Sequence, residues 1–202
     1  MGLIQIQRKN KVINMPEVKR EEIIDFVTYS EQRDSIRPEI IAKKELRRIH
    51  VGEYLTFLFE NHDTIWYQIQ EMTRAEQIVK EAEIKHEIET YNEIVTANGS
   101  LGCSLLIEID DVEVRQEKLA KWLKLPENIY VILDDGSQIP AQYDKRQIGH
   151  DRLSSVQYLR FNVNGKTPVA IGIDLPDLKD DFPAETKLSD NQKKALEQDL
   201  KD

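Results

Sequence analysis

The chain has 202 residues, 40% of them hydrophobic, and a formal charge of -9. That length supports one well-buried core and not two full domains, and the acidic balance argues against nucleic acid or an anionic membrane as main partner, because both reward a basic footprint. Cys103 is the only cysteine, which excludes an intramolecular disulfide or a cysteine zinc cluster and fits a reducing cytoplasm.

Residues 1–20 read as a flexible arm. They are polar and basic apart from a short "LIQI" and lack the apolar centre of a secretory signal; Met15 is a candidate natural initiator. No apolar run reaches the length of a membrane span, so a cytoplasmic protein is expected. Residues 21–176 are expected to form a single α+β domain. Within it, "REEIIDFVTYSEQRDSIRPEIIAKKELRR" reads as two helical pieces divided at Arg37-Pro38, since proline suits a first helical turn. Lys43, Lys44, Arg47 and Arg48 crowd the end of the second piece, where they complement the helix dipole or form an anion or acidic-partner patch.

The period then changes to two. "RIHVGEYLTFLFE" reads as a hairpin turning at Gly52-Glu53, followed by a long helical region from Thr64 to Val95 with a break near Glu81 to Glu83. "NGS" at Asn98 to Ser100 is a turn, "GCSLLIEI" a buried strand, and "DVEVRQEKLAKWLKLP" an amphipathic helix begun by Asp110 or Asp111 and ended near Pro126. Two further hairpins are expected, turning at Asp135-Gly136 and at Asn164-Gly165. Residues 177–202 are rich in Asp and Lys with few apolar anchors, which predicts a disordered acidic tail with a weak helix begun near Ser189. Hairpins alternating with helices give an α+β class with a mostly antiparallel sheet packed by several helices.

The candidate site lies on the helix begun at Thr64. Steps of about 100° place Ile65, Ile69, Met72, Ala75 and Val79 on one stripe and Gln70, Arg74 and Gln77 opposite, as a solvated face. Gln68, Glu71 and Glu76 fall on or beside the apolar stripe instead. A buried carboxylate must take up a proton or meet a cation, a donor or a metal, so Glu76 calls for a partner from Arg37, Arg47, Arg48, His50 or Tyr91. One reading is a polar network that fixes docking of helix on sheet; the other is a pocket in which Gln68, Glu71 and Glu76 hold a ligand or metal. Other patterns are weaker. "EIKH" at Glu83 to His86 has one Glu-x-x-His where di-iron bundles use two, and no nucleophile elbow or phosphate-cradling glycine loop occurs. In "AIGID", Ala170, Gly172 and Asp174 share a face of small residues that a backbone or ligand can approach.

Taken together, "IRPEIIAKKELRRIHVG", "LTFLFENHDTIWYQIQEMTRAE", "YNEIV", "LLIEIDD" and "AIGID" resemble the uncharacterised bacterial domain-of-unknown-function family three-five-zero-one over roughly Glu21 to Pro176. Leu175 stands where relatives often carry His. The resemblance implies a redox or peroxide-defence setting, because genes of that family commonly neighbour rubrerythrin and an iron-sulfur oxidoreductase, and it makes such a protein the expected partner. This chain lacks the cysteines for a cluster, so no cofactor of its own is expected.

Three readings follow. The first is a non-enzymatic accessory or binding protein of a redox system, with Gln68, Glu71, Arg74, Glu76, Arg37, Tyr91 and Asp174 as candidate ligand or partner contacts and a homo-oligomer compatible with it. The second is an enzyme with Glu71 or Glu76 as general base and Gln68 and Arg74 orienting substrate. The third is a metal site built from Glu71, Glu76 and a histidine.

Overall fold

The computed structural model describes residues 17–96, 99–175 and 181–201. Most of the expected N-terminal arm, with Met15, lies outside these residues, as does Asn98. Helix α1 (Phe26–Glu45) is capped by Asp25, whose carboxylate accepts from the Val27 and Thr28 amides, and it runs unbroken through Pro38. The expected division at Arg37-Pro38 does not occur. Arg37, Pro38 and Glu39 are all exposed, so the Asp34 carbonyl that proline leaves unpaired faces solvent and the helix continues.

Strands β1 (Arg48–Val51) and β2 (Leu55–Glu60) form the expected hairpin, with Gly52 at φ +63. Helices α2 (His62–Ala75) and α3 (Glu81–Asn92) are separated at Glu76 to Lys80, a few residues before the expected break, where Gln77 takes φ +52. Then follow β3 (Leu101–Ile107), α4 (Val112–Lys121, capped by Asp111), β4 (Ile129–Leu133), β5 (Gln138–Pro140), β6 (Gln142–Tyr143), β7 (Val156–Phe161), β8 (Pro168–Ile173), β9 (Glu185–Lys187) and α5 (Asp190–Asp199). The strands make two antiparallel sheets, ordered β1-β2-β3-β7-β6 and β5-β4-β8-β9. The α+β class therefore holds. The last expected hairpin does not, because β7 and β8 flank the Asn164-Gly165 turn yet belong to different sheets.

Both faces of the larger sheet are covered. Phe57, Phe59, Cys103, Leu105 and Phe161 point at Val131, Ile171 and Ile173 of the smaller sheet in one apolar core. The alternate residues of the same strands, Thr56, Leu58, Glu60 and Ser104, are also buried and face α1 to α3. Gly102 makes that second contact close, since a methyl there would strike the Ile94 carbonyl just beyond α3.

The C-terminal segment corrects the expected tail. Residues 181–201 add strand β9 to β8, bury Phe182, Leu188, Leu196 and Leu200 in the sandwich core, and start α5 on a Ser189 capping box. Asp199, 3% exposed, accepts from Arg47 Nε and Nη2 at 2.7 Å each and from Asn61 Nδ2 at 3.1 Å. It thereby ties the end of α1 and the cap of α2 to the last helix. At the other terminus Val18 is 2% exposed and exchanges two hydrogen bonds with Asn92, so residues 17–20 belong to the packed body. No helix among the described residues is long and apolar enough to cross a membrane.

Candidate functional site

Helix α2 packs against both α1 and α3, so it is buried over more of its circumference than a surface helix. Thr64, Ile65, Tyr67, Ile69, Gln70 and Thr73 are all buried. This overturns part of the expected face assignment. Gln70, placed on the solvated side by an assumption of one wet face, is 0% exposed. Glu76, expected in the core, is exposed, because the helix ends at Ala75 and leaves Glu76 at its C-cap. Val79 is 71% exposed for the same reason: it lies past the end of the helical stripe.

Glu71 has the partners that the sequence sought for Glu76. Its Oε1 accepts from Tyr29 Oη at 2.7 Å and Arg33 Nε at 2.8 Å, its Oε2 accepts from Arg33 Nη2 at 2.9 Å, and Arg74 stands 3.6 Å away. Burial alone would raise the Glu71 carboxyl; the Arg33 and Tyr29 bonds outweigh it and hold the pKa below the ordinary glutamate value. A charged carboxylate so saturated with donors is a poor proton acceptor. Of the other candidates, Gln68 and Arg74 are half-buried on α2, Tyr91 packs half-buried against the Ile84 and Ile88 cluster, and Arg37 and Asp174 are exposed. Only Glu71 and Arg74 are brought together. Arg47 belongs to Asp199 instead, and among the described residues no three His, Cys, Asp or Glu side chains gather as a metal site.

A second polar group, unforeseen in the sequence, lies deeper. Tyr67, Gln70 and Arg74 follow one another on α2 at helical spacing, facing the stripe Tyr29, Arg33, Ile40 and Lys44 of α1. The Lys44 ammonium sits 5.2 Å above the Tyr67 ring. Burial pushes its pKa down, while it feels Glu60 and Glu71 attractively and Arg48 repulsively. Arg48 and Glu60 come from adjacent strands and the same face of the sheet, since Arg48 pairs with Leu58 and Glu60 lies two residues beyond it. Glu60, 6% exposed, accepts from Ser104 Oγ at 2.8 Å through Oε1. Its Oε2, both polar atoms of the Gln70 amide, and the Nε atoms of Arg48 and Arg74 are buried without a hydrogen-bond partner among the described residues. The signal available in the sequence was the 29-33-40-44 spacing on α1, which marks the α2-facing stripe only once Pro38 is read as internal.

Beside this layer a groove of about 550 Å³ opens between the end of α3 and the edge of the sheet, lined by Thr90, Glu93, Tyr143, Tyr158 and Arg160 among others. Tyr158 opposes Ser104 across the β3–β7 register and also feels Glu60. Cys103, one residue from Ser104, points the other way into the sandwich, where burial holds its thiol well above the ordinary cysteine pKa.

A crystal structure from Burkholderia pseudomallei K96243, described as a novel protein of unknown function, is similar to this chain, with a TM-score of 0.81 and 25% identity over 92% of this chain and 100% of that one. No match is found among curated proteins. Residues 17–200 match the family described as protein of unknown function (DUF3501), a span that takes in the polar layer and the C-terminal strand and helix, and the chain belongs to that family.

Proposed function

We propose that the chain is a binding component without turnover of its own, which holds a small polar ligand in the layer between α2 and the larger sheet. The observation that carries this is Gln70: a wholly buried amide with neither its oxygen nor its nitrogen paired among the described residues. Each such group costs about 1–3 kcal/mol when left unmade, whereas an apolar side chain there would cost nothing of the kind. The acid-base reading is weaker, because Glu71 is saturated by Arg33 and Tyr29 and Glu76 is exposed at a helix end.

The redox setting implied by the family resemblance then concerns partners. In this reading the electron carrier belongs to a docked rubrerythrin-like or iron-sulfur protein, and the buried Cys103 thiol takes no part. Direct titration with such a purified protein checks that part; no detectable complex removes the partner and leaves the ligand site.

The ligand is tested by comparing native and denatured mass of gently purified protein, alongside Gln70→Met. A mass retained by the native wild type and lost by the variant is expected. A bare wild type, together with a variant of raised Tm, would reduce the layer to packing.

A further inference from the structure

The charges around Gln70 name the class of ligand. We infer, resting on the binding reading above, that the layer is a site for a small oxyanion, because four cations, Arg33, Lys44, Arg48 and Arg74, stand there around the carboxylates Glu60 and Glu71, and the buried Nε atoms of Arg48 and Arg74 have no hydrogen-bond partner among the described residues.

That excess of positive charge sits inside a chain of net charge -9. The other buried guanidinium, Arg47, is matched by the bidentate Asp199, and Lys43 meets both Glu39 and Asp63. In the layer only Arg33 is fully matched, by the bidentate bond to Glu71. Arg74 reaches Glu71 at 3.6 Å, too far for a good hydrogen bond, and its buried Nε is unpartnered. Arg48 Nε is likewise unpartnered, and Lys44 rests on an aromatic ring in place of a carboxylate. Three of the unpartnered atoms are N–H donors, the Nε atoms of Arg48 and Arg74 and the Gln70 nitrogen, and two are acceptors, Glu60 Oε2 and the Gln70 oxygen. An ion with several acceptor oxygens answers such donors through short charge-assisted bonds. Glu60 lies within reach of Lys44's field and favours an ion that carries a proton, which can donate to its free Oε2. Monohydrogen phosphate has both properties; sulfate has only the first. A free ion and the terminal phosphate of a larger molecule offer the same chemistry.

The test is calorimetric titration of the full chain with inorganic phosphate at constant ionic strength, with sulfate, chloride and a phosphate monoester as comparisons. Saturable one-to-one binding of phosphate is expected, at least tenfold tighter than sulfate, and at least tenfold weaker in Lys44→Met. A monoester that binds as well as phosphate identifies a terminal phosphate as the source; one excluded by size identifies the free ion. Should Lys44→Met not fold, Arg48→Gln reads the same loss. Phosphate heats no different from chloride, or affinity unchanged in a folded variant, would overturn the inference. The binding reading fails separately: a neutral molecule or cation retained in the native mass would refute the oxyanion and keep the ligand site, while a bare chain that binds no phosphate would remove both.

Discussion

Strands β2 and β3 bury two faces against different neighbours, and the faces are built on different rules. Toward the smaller sheet, Phe57, Phe59, Leu101, Leu105 and Phe161 meet Val131 and Ile171 in a dry core, where apolar packing is non-directional and scales with area. On the other face, Glu60 accepts from Ser104 and lies in the field of Lys44, Thr56 meets His50 and Glu108, and each group needs its own partner in a fixed direction. The first face supplies stability that many side chains of similar volume would also supply. The second is the weaker way to stabilise a fold, since buried polar groups at best break even with apolar ones of the same shape. The proposed ligand site rests on this difference, a polar layer beside a dry one on the same strands.

The comparison is broken most forcefully from the dry side. Phe59 is 0% exposed, with its ring 6.0 Å from that of Phe161, so Phe59→Ala is expected to cost about 3–5 kcal/mol in a denaturant titration. A loss under 1 kcal/mol would mean that the sandwich is not the stabilising half. Next is Asp199→Ala, which strands the buried Arg47 guanidinium and removes an acceptor for Asn61; about 3–5 kcal/mol is expected, at the lower end where Arg47 can turn toward solvent. Adding Arg47→Met should recover part of that loss, and failure to recover would show that the loss does not come from the stranded guanidinium.

Much of the dry face was legible. A period near two marked the β1–β2 hairpin and a short apolar run marked "GCSLLIEI" as a buried strand, and Gly52, Gly136 and Gly165 all adopt positive φ at the turns read from their dipeptides. The assignment of β7 and β8 to separate sheets was not legible, because a turn fixes local chain reversal and says nothing about which edge each strand then joins. The last helix was read at its Ser189 start, but its docking was not, because four scattered apolar anchors look sparse and because Asp199 finds Arg47 across 152 positions. For α2 the helical period was correct and the environment was not: angles around a helix show which residues share a side, whereas the number of buried sides depends on neighbours. That error exchanged Gln70 and Glu76, and it concealed Glu71's partners on α1, which a sequence read as broken at Pro38 did not present as one stripe.

Tyr29→Phe sharpens the boundary between the two kinds of interior. It removes one donor to Glu71 and should cost about 1–3 kcal/mol at neutral pH. Its pH dependence has a definite sign. The folded-state pKa of Glu71 is below its unfolded value of 4.5, so the folded chain binds fewer protons there, and the stabilisation is complete above that value and lost as the pH falls through the folded pKa. The wild-type stability curve should therefore decline more steeply below that point than the curve for Tyr29→Phe. Parallel curves would show that Arg33 alone sets the Glu71 charge.

The smallest expected effect comes from a matched pair of variants on one helix, Glu71→Gln and Glu76→Gln. The chemistry of the change is identical, and only the surroundings differ. Glu71→Gln replaces an acceptor of three hydrogen bonds from α1 with an amide that repels Arg33 through its N–H groups, and about 1–3 kcal/mol is expected. Glu76 is exposed at the C-cap, where a negative charge also opposes the helix dipole, so Glu76→Gln should change stability by no more than about 0.5 kcal/mol, in either direction. Thermal melts of the two proteins measure that difference directly. A large loss at Glu76 with little at Glu71 would mean that α2 continues beyond Ala75 and turns its polar residues inward as the bare periodicity suggests, and the Gln70 layer would then have to be redrawn around a different face.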